Sequence, residues 1–318
     1  MREQSGRRHP HRPAPTRILT KLPRSVAVQR PDGNSGRMDS MNMNRRALLA
    51  GALAIGGGLC AGAAQAAPFA SRRIAVSVRG TGRDVILIPG LASGPGIWNG
   101  VVAALPGYRF HLVHIRGFAG LAAEANASGP LVQPVADEIA RYAAAAGLRR
   151  PAIVGHSMGG TLAMLLGLKG LARRVMVVDM LPAGAAMVGG TASGLGFLAD
   201  QIGGYLTGTV AGRRYLGQVV AQSPGAKGSD PDVIASALRD LAHVDLTPQL
   251  PRITAPLEVV YAVGADSAQA VDITRRFRAA YGPRKGVVLR AIGPSGHMVM
   301  ADQPARFQSA LGAFLKGT

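Results

Sequence analysis

The sequence predicts an α/β fold: a mostly parallel central sheet flanked by helices, with a helical segment inserted between two strands. Three observations carry this. Short runs of β-forming residues alternate with helical segments from residue 73 onward, the pattern of a helix-covered parallel sheet. One run, 151–154, stops at Gly155-His156-Ser157-Met158-Gly159-Gly160 and passes straight into a helix-forming run, 158–169, giving a strand, a sharp turn and a helix. The stretch 181–256 is too long for a simple loop, and its apolar residues recur at helical spacing in Phe197, Leu198, Ile202, Leu206, Tyr215, Val219, Ile234, Leu238 and Leu241.

The chain begins with a basic leader. Residues 1–40 are rich in Arg, Pro, Ser, Gly and Asn without apolar periodicity, a composition that predicts disorder. Residues 41–66 then run Met41-Asn42-Met43-Asn44-Arg45-Arg46, an apolar stretch over 47–64, and the small-residue pattern Ala64-Gln65-Ala66. That order is the layout of a secretory signal peptide, by the general or the twin-arginine route, with a mature chain starting near Ala67 in the periplasm or outside the cell. An uncleaved N-terminal anchor is the competing expectation, because the apolar run has the length of a marginal membrane span. Met38, Met41 and Met43 are candidate translation starts. Eleven basic and three acidic residues fall within 1–46, so +8 of the formal charge of +19 lies there and +11 in the remainder. The remaining charges are spread without interleaved aromatics, and aromatic content is only 4%, so no nucleic-acid partner is expected. The only cysteine, Cys60, follows Leu59 rather than Gly or Ala, which argues against lipid attachment; the chain has no internal disulfide.

Two core segments, 67–180 and 257–318, enclose the insertion at 181–256. In order, 73–79 alternates as an edge strand, and 84–88 is a strand ending at Pro89-Gly90. Residues 109–115 form the next strand and 131–147 a helix. Residues 151–154 lead into the sharp turn, and 174–179 follow its helix. After the insertion come strands at 257–263 and 286–292, separated by a helix over 268–281. A helix over 304–316 closes the chain. The hydrophobic content of 47% suffices for a large core.

The Gly155 to Gly160 run carries the chemistry. A serine between a strand end and a helix start is forced into a strained turn that lifts its hydroxyl above the sheet, and Gly155 and Gly159 let backbone pass close on both sides. The helix start aims free N–H groups and its positive dipole end at the same place. The G-H-S-M-G-G form resembles the nucleophile turn of the alpha/beta-hydrolase family, and the similarity runs from about residue 72 to the C-terminus. The resemblance implies a cap after the sixth strand that covers the site and shapes the substrate pocket, and the order serine, acid, histidine.

A serine hydroxyl needs a base and an orienting carboxylate. His243 and His297 follow the serine; His243 lies in the insertion, whereas His297 lies in the glycine-containing loop Gly293-Pro294-Ser295-Gly296-His297 after the last strand and resembles the family base. For the acid, Asp266 in Val263-Gly264-Ala265-Asp266 stands 31 residues before His297 and matches the family's Gly-x-Asp turn. Asp179, ending Val177-Val178-Asp179, is the alternative; Asp272, on a helix, is a poor candidate. The resemblance places the oxyanion donors at the backbone N–H groups of Met158 and Leu91, although Pro89-Gly90 stands where the family commonly has His-Gly. Trp98 and Arg116 read as packing and structural residues. No metal constellation, phosphate loop or cofactor is indicated.

The expected activity is therefore an exported serine hydrolase acting on a small, apolar acyl substrate, with membrane contact only through an uncleaved signal segment. Amide or C–C bond hydrolysis, perhydrolysis and acyl transfer are alternative uses of the same residues. A non-catalytic member that binds an apolar ligand is the alternative from another class. Ser157 excludes the aspartate-nucleophile chemistry of haloalkane dehalogenases and epoxide hydrolases.

Overall fold

The computed structural model describes residues 69–184, 186, 209, 211, 212, 215, 218, 219 and 225–317. The chain divides into two units, Met1–Gly62 and Ala63–Thr318. The basic leader and the expected signal segment, residues 1–66, lie wholly outside the described residues, as do Phe197, Leu198, Ile202 and Leu206 of the insertion.

Seven strands form one sheet: β1 (Ile74–Arg79), β2 (Arg83–Ile88), β3 (Tyr108–Ile115), β4 (Ala152–His156), β5 (Arg174–Val178), β6 (Leu257–Ala262) and β7 (Val288–Ile292). Their spatial order is β1-β3-β2-β4-β5-β6-β7. β1 is antiparallel to β3, and every other neighbouring pair is parallel. Among the described residues the α-helices are α1 (Asn99–Ala104), α2 (Val132–Ala145), α3 (Met158–Leu168), α4 (Pro231–His243), α5 (Ser267–Tyr281), α6 (Val299–Asp302) and α7 (Pro304–Lys316). Counted along the described residues, the helical insertion follows the fifth strand rather than the sixth, because the sheet begins at the antiparallel edge strand.

The central strands read as apolar runs because both of their faces are covered. Ile86, Ile88, Ile153, Val175, Val177 and Val259 point into one buried cluster with residues of α2 to α5. Val85, Leu87, Val154, Met176, Val178 and Val260 point into the other, with Trp98, Phe307, Leu311 and Phe314. Each fully buried side chain of this kind contributes about 1.5–3 kcal/mol. α3 is buried on nearly every side, as its uniformly apolar sequence requires. α5 instead buries one stripe, Ile273, Phe277 and Tyr281, at four-residue spacing.

The path of the chain creates the site. From β2 it goes outward to β3 and then back across β2 to β4, so the turns after the neighbouring strands β2 and β4 leave in opposite directions. That topological switch opens a crevice at the carboxyl ends of the strands. The described end of the insertion closes on the same side. Asp230 caps α4 by accepting from the Asp232 N–H at 2.8 Å, and Val233, Ile234, Ala235 and Ala237 are fully buried. Asp240 reaches across to α2 and accepts from the N–H groups of Leu131 and Val132 at 2.6 and 2.9 Å. A carboxylate there satisfies two donors that the helix start leaves without partners.

Candidate active site

β4 ends at His156 and α3 starts at Met158, leaving Ser157 alone in the turn with φ +53° and ψ −124°. A non-glycine residue in that region costs on the order of 1–3 kcal/mol, and the surroundings hold it there. The Ser157 N–H donates to the Val178 carbonyl at 2.9 Å, and its own carbonyl accepts from the Gly160 N–H at 2.7 Å. The flanking glycines are obligatory. A Cβ on Gly155 would stand 1.9 Å from the Gly159 carbonyl oxygen, and one on Gly159 would stand 2.4 Å from that of Ile88. The Ser157 side chain is half-buried.

The imidazole of His297 is held by Asp179. Its Nδ1 lies 2.6 Å from Asp179 Oδ2. Asp179 stands directly after β5, is 2% exposed, and has a left-handed φ of +50°. Its Oδ1 accepts from the Ala262 N–H at 3.0 Å, and its own N–H donates to the Val260 carbonyl at 2.7 Å. An ionised carboxylate only accepts, so Nδ1 carries the proton and Nε2 keeps its lone pair. Tyr281, fully buried behind this segment, donates its hydroxyl to the Met180 carbonyl at 2.6 Å. Burial, and then the Asp179 charge, push the Tyr281 phenol well above its ordinary value, so it remains a donor.

Asp266, the acid favoured by the family spacing, does not hold His297. It is exposed and sits at the N-cap of α5, where Oδ1 accepts from the Gln269 N–H at 2.7 Å. The sequence carried a signal for this: Asp266-Ser267-Ala268-Gln269 has the spacing of a capping box, in which the acid serves its own helix. Asp179 instead ends a strand next to β4, within the span of the sheet that the base loop crosses.

The two expected oxyanion donors have no protein acceptor among the described residues. Met158 is the first residue of α3, so its N–H has no partner within the helix. Leu91 lies in the turn after β2, which is closed by the Ser93 N–H to Gly90 carbonyl bond at 3.2 Å and carries Ala92 at φ +57°. Sequence reasoning missed the support of this turn. Ser229, at the end of the insertion, donates its hydroxyl to the Ala92 carbonyl at 2.8 Å and accepts from the Ala119 N–H at 2.8 Å. A lone serine before a helix gives no sequence sign of that contact.

The remaining candidates lie elsewhere. His243 is exposed, with its Nδ1–H donating to the Arg239 carbonyl at 2.7 Å. Trp98 is fully buried and stacked on Phe307. Arg116 pairs with Glu124 at 2.6 Å. Among the described residues, no group of three or more His, Cys, Asp or Glu could hold a metal ion.

Comparisons with known proteins agree with this fold. The chain is 27% identical over 281 residues to an uncharacterized protein of Mycobacterium tuberculosis (strain ATCC 25618 / H37Rv), covering 77% of this chain and 79% of the relative. It resembles the solved structure of an esterase, EaEST, from Exiguobacterium antarcticum, at 18% identity and a TM-score of 0.59, over 77% of this chain and 96% of that one. It also resembles the enol-lactonase from Burkholderia xenovorans LB400, at 18% identity and a TM-score of 0.55, over 76% and 96% of the two chains. A model of the alpha/beta hydrolase family matches residues 85–310, and with the parallel sheet, the strained serine turn and the Asp179–His297 pair in view, this chain belongs to that family.

Proposed function

We propose that the protein is a serine hydrolase that cleaves an ester or related acyl bond of a small, apolar substrate, with Ser157 as nucleophile, His297 as base and Asp179 as the acid. The observation that carries the reading is the 2.6 Å Asp179–His297 hydrogen bond, made at the carboxyl end of β5, the strand next to the one that leads into the strained Ser157 turn. In this reading Ser157 Oγ attacks the carbonyl carbon while its proton passes to His297 Nε2. The oxygen, now negative, lies between the N–H groups of Leu91 and Met158 at the positive end of α3. Collapse breaks the bond to the leaving group, which takes the proton from His297, and an acyl-serine remains. Water then attacks with His297 again as base, releasing the acid and restoring the serine.

Preorganised donors are the largest contribution in such sites: loss of one costs about 10²–10³-fold in rate. The esterase and the lactonase that this chain resembles act on acyl–oxygen bonds by their names, which is why the ester reading is placed ahead of other uses of the residues. The test is labelling of the purified protein from Ala67 onward with a fluorophosphonate. Adduct on the Ser157 peptide, absent in Ser157→Ala, is the expected result; a folded protein that stays unlabelled contradicts the reading. We also propose export, supported by the basic, apolar and A-x-A order of 41–66. N-terminal sequencing of the protein recovered outside the cytoplasm is expected to begin at Ala67.

A further inference from the structure

His156 is the buried ionisable side chain next to the nucleophile that the mechanism does not use. It is 2% exposed, and its ring lies 4.6 Å from that of His297, centroid to centroid. Nε2 is 2.9 Å from the His297 backbone carbonyl oxygen, which can only accept, so Nε2 carries the hydrogen. That assignment leaves Nδ1 as a bare lone pair, and Nδ1 has no partner although it is fully enclosed. On that side the ring faces the turn after β2: a Cβ on Gly90 would stand 2.8 Å from His156 Nδ1 and 3.0 Å from Ser157 Cβ. One rigid ring thus touches the turn that carries Leu91, the turn that carries Ser157 and the loop that carries His297. Burial, and then the neighbouring His297, push its pKa down to about 3, so the ring stays neutral beside a base that becomes charged during turnover.

We propose that His156 is a positioning residue: its Nε2–H fixes the His297 carbonyl, and hence the base loop, relative to the Ser157 and Leu91 turns. The proposal rests on the serine-hydrolase reading above. Gln, Asn and Leu separate its parts. The glutamine amide nitrogen stands three bonds from Cβ, as His Nε2 does; the asparagine nitrogen stands two bonds away, on the Nδ1 side; leucine has no donor.

The experiment measures kcat and KM for an activated short-chain ester, with thermal midpoints, in wild type, His156→Gln, His156→Asn and His156→Leu. Loss of one neutral hydrogen bond corresponds to about a five- to ten-fold effect. The expected result is kcat about ten-fold lower in the Asn and Leu variants, KM within two-fold of wild type, and recovery to within about three-fold in the Gln variant. Equal kcat in the Gln and Asn variants, or losses that follow only the thermal midpoint, overturns the proposal while leaving the serine-hydrolase reading intact. A folded but inert wild type overturns both. ¹⁵N NMR of the wild-type histidines adds a readout that needs no folded variant: His156 is expected as the Nε2–H tautomer, and the Nδ1–H tautomer contradicts the proposal.

Discussion

Exchanging Asp179 for asparagine tests the identity of the acid. In the wild type, one carboxylate oxygen accepts from the Ala262 N–H and the other from His297 Nδ1–H, and the group is 2% exposed. An asparagine that keeps its oxygen toward Ala262 turns its NH₂ toward His297. Nδ1 must then accept, the imidazole proton moves to Nε2, and the lone pair that takes the Ser157 proton is gone. The same change at the acid of a serine protease lowers kcat about 10⁴-fold, and a loss of that order is expected here. The opposite amide orientation sets NH₂ against the Ala262 N–H, two buried donors facing each other, at a cost of about 1–3 kcal/mol. Asp266→Ala is the control. It removes a helix cap worth about 1 kcal/mol and lowers the thermal midpoint by about 2–4 °C with activity intact. The assay is ester turnover beside a thermal melt for both variants. Full activity in Asp179→Asn, or abolished activity in a stable Asp266→Ala, refutes the assignment.

Three further outcomes follow from the geometry. Gly159→Ala sets a Cβ 2.4 and 2.7 Å from the Ile88 and Pro89 carbonyl oxygens, both backbone; a loss of at least about 1–3 kcal/mol is expected in urea unfolding, and an unchanged midpoint contradicts the packing described. Ser229→Ala frees the Ala92 carbonyl and the Ala119 N–H; kcat is expected to fall about five- to ten-fold with KM little changed, and wild-type kcat contradicts a role in holding the Leu91 turn. Stability is expected to fall on acidification. Burial lowers the pKa of His111 and His114, and that of His156 to about 3 from an ordinary 6.5. Below about pH 6.5 the unfolded chain therefore binds protons that the native state refuses, and stability, fully present above that pH, declines as pH falls, by about 1.4 kcal/mol per pH unit for His156 down to about pH 3. Urea midpoints at pH 7, 6 and 5 check this, with a shallower slope in His156→Gln; an identical slope in that variant contradicts a buried neutral ring.

Much of the fold was legible because burial on both faces writes itself into a strand as an unbroken apolar run. Residues 84–88, 151–154 and 257–263 are such runs, and each falls on a central strand to within two residues at its ends. The strand at 286–292 begins two residues later, at Val288, because it is the exposed edge and only Ile292 in it is buried. The strained turn at Ser157 was legible because it tolerates only small neighbours at Gly155 and Gly159. The carboxylate that bonds His297 was not settled by spacing, since Asp179 and Asp266 both follow strands on the same side of the sheet. What separates them is local: Asp266 has a helix of its own to cap, and Asp179 does not. Contacts made across long separations left no trace in the pattern. Ser229 meets Ala92 from 137 residues away, and Asp240 meets Leu131 from 109, each by topology rather than by motif.

The proposed chemistry requires that Ser157 become acylated. The direct measurement is rapid mixing of the protein with a p-nitrophenyl ester of a short acid, followed by acid quench and peptide mass mapping. A burst of p-nitrophenolate close to one equivalent per chain is expected, with the acyl mass on the peptide that contains Ser157, both lost in Ser157→Ala. Steady release with no burst and no adduct, unchanged in Ser157→Ala, would contradict it.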